Sequence, residues 1–176
     1  NNPTESLLIA NNNPIARSFD IDKLKEEKAR NFSAGFTTKL SSNFNATIDA
    51  YFVSIKDRVI LSGNFDASSL GFGVDNVQFF ANGVDTKTKG VDVVLNWKKD
   101  FKNSTISLDF SGNINHMSIS KIKNKMLDKE TFFGEREQHF LLASAPNSKF
   151  NFSINYKIKK LKTSLSFTHF SKVTLI

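Results

Sequence analysis

TISLDFSGNIN, residues 105–115, alternates apolar and polar side chains almost without interruption. Ile106, Leu108, Phe110 and Ile114 occupy one set of positions, and polar residues occupy the other set. A period of two residues is the signature of a β-strand with one apolar face and one polar face. This segment therefore predicts an amphipathic strand.

Further segments with the same period extend this prediction to a sheet. They are residues 30–40, 44–55, 90–97, 149–157 and 161–170. We expect one more, less regular strand within residues 138–144. Residues 20–30 favour helix by composition, but their apolar stripe is thin, and we expect a loop that leads into the first strand.

The connections between these segments alternate in length. The short ones are residues 41–43, 98–103 and 145–148, and the long ones are residues 59–82 and 121–137. Only Lys159-Lys160, where a long loop is due, breaks the alternation. Short turns at one end and long loops at the other are typical of outer-membrane barrels. The pattern predicts an all-β fold, an antiparallel up-and-down transmembrane β-barrel segment of about seven strands.

The composition agrees with a sheet that faces a membrane. The chain has 176 residues, with eighteen Phe against two Tyr and one Trp. An excess of Phe suits a surface solvated by acyl chains. The absence of cysteine excludes disulfides, thiolate metal sites and cysteine nucleophiles. Neither a signal peptide nor an apolar run of about 18 residues is present, which fits a mature fragment and a cytosolic domain equally well.

The net charge of +7 raises the question of nucleic-acid binding. The lysines are scattered along the chain, with local concentrations at residues 121–125 and 157–162. Such a distribution favours a solvated or lipid-facing rim, and we expect no nucleic-acid partner.

Residues that could carry chemistry are not grouped. His116, His139 and His169 lie far apart, and residues 135–137 indicate a solvated ion-pair cluster in a loop. Residues 71–73 lack the third glycine of a dinucleotide site, and no serine has a G-x-S-x-G setting. We therefore expect no enzyme, no cofactor and no metal site.

Four stretches resemble motifs of TonB-dependent outer-membrane receptors. Residues 24–36, LKEEKARNFSAGF, are similar to the start of a barrel strand in that family, with Glu26 where proline is usual and Ser33 where glutamate often appears. Residues 48–63, IDAYFVSIKDRVILSG, and residues 79–92, FFANGVDTKTKGVD, resemble two further strands. APNSK, residues 145–149, resembles the turn before a later strand.

The resemblance implies a piece of a larger plugged barrel of about 22 strands in the outer membrane of a Gram-negative bacterium. Residues 1–176 would then be a partial barrel domain, with an extracellular loop region at 1–29, strands and loops at 30–173, and no plug domain. The parent protein would take up a siderophore-iron complex, haem, cobalamin or a glycan by TonB-coupled active transport. The implied partners are outer-membrane lipid and lipopolysaccharide, the protein's own plug domain and through it TonB, and an unknown extracellular ligand.

The two faces of the strands predict where individual side chains point. We expect eight residues to face lipid: Phe32, Phe36, Ile106, Leu108, Phe110, Phe150, Phe152 and Ile154. A carboxylate facing lipid costs roughly 2 kcal/mol or more. We therefore expect Asp49, Asp92 and Asp109 to face the lumen, in contact with the plug or with water. Asp57 and Arg58 are expected near the extracellular mouth, as a structural pair in preference to a ligand contact.

Two alternatives remain open from the sequence. The first is an outer-membrane barrel with a structural or adhesive role, which an upstream plug domain would argue against. The second is a soluble all-β binding module, whose Phe side chains would be buried between two packed sheets.

Overall fold

The computed structural model describes residues 6–71, 73–125 and 127–173 of the chain. Strand β1 (Ser6–Ile9) and helix α1 (Pro14–Ser18) precede β2 (Lys28–Ser41) and β3 (Phe44–Leu61). The short strand β4 (Phe65–Asp66) and a 3-10 turn at Ser68–Leu70 lead to β5 (Asn76–Asp100) and β6 (Ser104–Ile122). Helices α2 (Lys129–Phe133) and α3 (Glu135–Leu142) precede β7 (Ser148–Ile158) and β8 (Leu161–Phe170).

Six long strands form one antiparallel sheet in the order β2-β3-β5-β6-β7-β8. Near the start of β5, β1 adds a parallel pairing and β4 an antiparallel one. The prediction of an antiparallel, all-β barrel segment is confirmed, although the described strands do not close the sheet. None of the described helices is long and apolar enough to cross a membrane.

The strand expected within residues 138–144 is wrong, because helix α3 occupies most of that segment. Its sequence, EREQHFLL, has no two-residue alternation and consists largely of residues that favour helix. Four residues apart, Arg136 and Phe140 meet on one side of the helix, with the guanidinium carbon 5.7 Å from the ring centroid.

This correction restores the alternation of connection lengths. Strands β6 and β7 pair directly, so residues 123–147 form a single long loop that contains α2 and α3. Lys159-Lys160 then becomes a short turn at the same end as residues 42–43 and 101–103. The long loops, residues 62–75 and 123–147, lie at the opposite end. We call these two ends the short-turn end and the long-loop end.

The pairing register separates the side chains into two faces. One row across the sheet joins Phe36, Ile48, Val93, Gly112 and Phe150, and another joins Phe44, Trp97, Leu108, Ile154 and Leu165. We call this side the apolar face. The opposite side, the polar face, carries Asp, Asn, Ser and Thr side chains in the intervening rows.

The buried core of the described residues lies at the long-loop end. Its members come from the N-terminal segment, the ends of β3 and β5, and α2: Ile9, Ile15, Ile60, Val77, Phe79, Phe132 and Phe133 are among them. By contrast, Phe32 and Phe36 on the apolar face are 68% and 59% exposed. Among the described residues, no second sheet covers the apolar face.

Replacing Phe132 with alanine tests this loop core. The Phe132 ring is 2% exposed, and loss of a buried ring typically costs about 3–5 kcal/mol. We expect amide hydrogens of residues 127–143 to exchange faster in the Phe132→Ala variant. Phe140→Ala is the control, since Phe140 is 51% exposed. Equal acceleration in both variants would contradict the packing described here.

Candidate functional site

Two bulges interrupt the pairing of β3 with β5 near the long-loop end. They flank Arg58, between Ile55 and Val59. Asp57, within this interruption, adopts a left-handed backbone conformation with φ of 57°, which Asp tolerates better than most residues. Bulges re-aim the side chains beside them. The carboxylate of Asp57 thereby comes to lie among lysines.

Lys123, just beyond the end of β6, lies between two carboxylates. Its Nζ is 2.7 Å from Asp57 Oδ1 and also contacts Asp85 Oδ1. The backbone N–H of Asp57 donates to Asp85 Oδ1 at 2.9 Å, and Lys25 Nζ lies 3.2 Å from Asp57 Oδ1. We call Lys25, Asp57, Asp85 and Lys123 the mouth cluster. It joins the N-terminal segment, β3, β5 and the long loop after β6.

The ion pairs of the mouth cluster shift the acidities of its members. Hydrogen bonds from Lys123 and then Lys25 lower the pKa of Asp57 from its ordinary value. Burial lowers the pKa of Lys123, but its hydrogen bonds to Asp57 and Asp85 outweigh burial and raise that pKa overall. These shifts favour the charged forms of Asp57 and Lys123 at neutral pH.

Asn82 attaches the N-terminal segment to the bulged strand. Its side chain accepts a hydrogen bond from the Lys25 N–H at 2.8 Å and donates to the carbonyls of Lys25 at 2.9 Å and Asp57 at 2.6 Å. Glu27 Oε1 accepts from the Val59 N–H at 2.7 Å. Side chains thus satisfy backbone groups that the bulges withdraw from the strand pairing.

Lys25, Asp57 and Lys123 of the mouth cluster form one side of a cavity of about 400 Å³. Asp20, Asp22 and Lys125 line another part, where Lys125 Nζ lies 3.3 Å and 3.0 Å from the two carboxylates. Ile21, Leu127 and Phe132 supply apolar walls. The cavity therefore combines paired charges of both signs with apolar surface.

Arg58 does not form the expected pair with Asp57. Its Nη1 lies 3.5 Å from Thr86 Oγ1 and 3.4 Å from Met117 Sδ. Asp57 takes Lys25 and Lys123 as partners instead. Asp57 and Arg58 lie at the long-loop end, and their location at an extracellular mouth stays a prediction.

Asp49 and Asp92 lie directly opposite each other on the polar face. Like charges in this position repel each other. The two carboxylates point away from each other, which reduces the repulsion. Asn113 Nδ2 donates to Asp92 Oδ1 at 2.6 Å and holds it towards β6. The Asp49 carboxylate lies over Gly35 of β2, where a Cβ atom would collide with it. Glycine at position 35 is what makes room for this arrangement.

Asp109 is held by amides from both neighbouring strands. Asn96 Nδ2 donates to Oδ1 at 2.7 Å, and Asn155 Nδ2 donates to Oδ2 at 2.9 Å. Asp49, Asp92 and Asp109 all share the polar face. That this face encloses a lumen stays a prediction.

The eight residues predicted to face lipid all share the apolar face: Phe32, Phe36, Ile106, Leu108, Phe110, Phe150, Phe152 and Ile154. Their contact with lipid stays a prediction. His116, His139 and His169 lie on β6, α3 and β8. In residues 6–71, 73–125 and 127–173, no group of three His, Asp or Glu side chains is placed to hold a metal ion.

Sequence reasoning missed Lys25, Asp85 and Lys123. Lys123 lies in a run of alternating lysines that resembles a solvated rim. Asp85 belongs to the stretch 79–92, whose motif says nothing about its partner. Lys123 and Asp85 acquire their roles from the bulges, and no local sequence pattern predicts where those bulges lie.

The family model for the TonB dependent receptor-like β-barrel matches residues 2–173. The FrpB iron transporter from Neisseria meningitidis (F3-3 variant) has a similar structure, with a TM-score of 0.47 and 17% identity. The match covers 84% of this chain and 19% of that chain, so this chain spans about a fifth of the length of the transporter. No curated protein sequence matches significantly.

Replacing Lys123 with glutamine tests the mouth cluster. The variant leaves Asp57 and Asp85 close together without the ammonium group between them, so we expect residues 20–27 and 123–125 to lose order. Hydrogen exchange in the full-length protein measures this loss. Lys121→Gln is the control, because the exposed Lys121 makes no ion pair within the described residues. Unchanged exchange in Lys123→Gln would show that the cluster does not hold these segments.

Proposed function

The chain belongs to the TonB-dependent receptor-like β-barrel family, and we propose that it forms barrel wall and extracellular loops of a receptor that takes up a nutrient complex by TonB-coupled active transport. The observation that carries this proposal is the family match over residues 2–173. The family is one of receptors and not of enzymes. It is typical of the outer membrane of Gram-negative bacteria.

The two faces of the sheet support membrane insertion. Side chains of the apolar face would contact hydrocarbon, and those of the polar face would line an enclosed lumen. The single Trp of the chain, Trp97, lies on the apolar face at the short-turn end, one row from Tyr156. Aromatic girdles mark the membrane interfaces of such barrels. Short turns are periplasmic in such barrels, so we propose that the short-turn end lies at the periplasmic interface.

The open edges of the sheet call for additional strands. In the described part of the chain, β2 and β8 each have a strand on one side only. Unpaired backbone groups in hydrocarbon cost several kcal/mol each, so an open sheet is not viable in a bilayer. We infer that strands outside this segment close the barrel around a plug domain.

The plug domain would contact the polar face. Asp49, Asp92 and Asp109 lie on this face, where charged groups of a plug or lumen water can solvate them. Through the plug, the receptor would engage TonB. Outer-membrane lipid and lipopolysaccharide would surround the apolar face.

The cavity beside the mouth cluster supports ligand contact at the long-loop end. Its volume of about 400 Å³ suits part of a nutrient complex, and its walls offer charges of both signs. We propose that the nutrient is a siderophore-iron complex, haem, cobalamin or a glycan. The long loops 62–75 and 123–147 would supply further contacts.

Growth of the source bacterium on single nutrients tests this function. Strains lacking the full gene, or lacking TonB, would be grown on a panel of ferric siderophores, haem, cobalamin and glycans. We expect at least one nutrient to require both the gene and TonB. Normal growth of both strains on the whole panel, with loss of surface attachment, would favour a structural or adhesive barrel instead.

Charge substitution on adjacent residues tests the lipid-facing assignment. Phe110 and Ser111 are neighbours on β6 and lie on opposite faces. An arginine facing the bilayer midplane costs about 2–4 kcal/mol. We expect Phe110→Arg to lower the yield of folded receptor in the outer membrane, and Ser111→Arg to lower it much less. Lipid-phase labelling of Phe110→Cys and Phe152→Cys gives an independent readout, and protection of both sites would contradict the assignment.

A further inference from the structure

Three lysines gather on the polar face at the short-turn end. Lys157 of β7 lies directly opposite Lys162 of β8, and Lys98 of β5 lies one row away. All three are exposed. We call them the lumen lysines. Cross-strand pairs of like charge are destabilising unless a group of opposite charge joins them.

Nearby carboxylates leave this charge largely uncompensated. In the part of the chain that the structure describes, neither Lys157 nor Lys162 makes an ion pair. Lys98 Nζ lies 3.4 Å from Asp100, and both side chains are more than 60% exposed (63% and 65%). Asp100 also accepts a hydrogen bond from Thr105 Oγ1 at 2.6 Å. Asp109 lies one row from Lys98 and accepts hydrogen bonds from Asn96 and Asn155. Two carboxylates, Asp100 and Asp109, therefore lie near three ammonium groups.

The lumen lysines line a shallow cavity of about 300 Å³ together with Ser107, Asn155 and Ser164. These neutral groups are already bonded to one another: Ser164 Oγ donates to Asn155 Oδ1 at 2.7 Å, and Asn155 Nδ2 lies 3.3 Å from Ser107 Oγ. The ammonium groups are therefore the donors that remain available, with three N–H bonds each. The chemistry that fits this cavity is a carboxylate.

We propose that the lumen lysines bind carboxylate side chains of the plug domain near the periplasmic end of the barrel. This inference rests on the proposed function, because it requires the polar face to enclose a plug. Trp97 and Tyr156 lie on the opposite face, so the side chains of Lys157 and Lys162 point away from the bilayer. Lys99, by contrast, lies on the apolar face in the row of Ile106 and Tyr156.

The balance of charge changes along the polar face of the described strands. The lumen lysines lie at the short-turn end, and farther towards the long-loop end the three carboxylates of Asp49, Asp92 and Asp109 outnumber the one ammonium group of Lys149. A plug that carries acidic groups near the short-turn end and basic groups farther towards the long-loop end fits this distribution at one position along the barrel axis. Sliding the plug along the barrel axis would bring like charges together. The lumen lysines would thus help to set the height at which the plug is seated.

Carbodiimide cross-linking of the full-length receptor in outer-membrane vesicles tests this inference. The reagent joins lysine amines directly to carboxylates in contact with them, and peptide mass spectrometry identifies the pairs. We expect Lys157 or Lys162 to be linked to an Asp or Glu of the domain upstream of this segment. Lys159 and Lys160 in the adjacent turn are the matched control, and we expect no links from them to that domain.

A charge-neutralised variant adds a second measurement. In Lys157→Gln combined with Lys162→Gln, we expect the cross-links to be lost and amide hydrogens of the plug to exchange faster. The same change at Lys159 and Lys160 should leave both unaltered.

Three results would overturn the inference. The first is that Lys157 and Lys162 are linked only to barrel carboxylates such as Asp100. The second is that neither lysine is linked to the plug although other plug–barrel links form. Retention of an anionic phospholipid that depends on these two lysines would assign them to lipid instead. A full-length chain without an upstream plug domain would overturn the proposed function itself, so the two failures are distinguishable.

Discussion

Strand register is the constraint on which the other features of this sheet depend. Because side chains alternate between faces, a slip of one residue in any strand would move its Phe and Ile residues to the polar face and its Asp and Asn residues to the apolar face. The observed pairings keep six strands in phase from Phe36 of β2 to Phe167 of β8. Membrane insertion and a polar interior both require this phase.

Polar side chains on neighbouring strands reinforce the same register. Asn113 holds Asp92, Asn96 and Asn155 hold Asp109, and Ser153 pairs with Ser166 at 2.8 Å. Tyr51 covers Gly90, its partner on β5, where a Cβ atom would collide with the ring. These contacts form only when the strands are aligned as observed, so they select this alignment over its neighbours.

The fold was predictable from the sequence wherever one period dominates, and unpredictable where local signals conflict. Residues 105–115 and 149–157 alternate cleanly, and both are strands. Residues 138–144 combine apolar Phe140, Leu141 and Leu142 with no alternation, and helix α3, rich in helix-favouring Glu, Gln and Leu, covers most of them. At Gly35 the Asp49 carboxylate and the Ile48 carbonyl oxygen occupy the space of a side chain, and at Gly90 the Tyr51 ring does, which no local pattern predicts. The mouth cluster depends on bulges, whose position no residue pattern fixes.

The two bulges beside Arg58 cancel, since Leu61 pairs with Phe80 in the same register as Phe44 with Trp97. In a closed barrel, the cumulative stagger between strands and the number of strands together fix the circumference. A single bulge would alter the stagger and with it the bore of the tube. A compensated pair of bulges leaves the stagger and the bore unchanged, and it reshapes only the long-loop end. In a closed barrel, β3 and β5 can therefore change shape at the long-loop end without changing the bore.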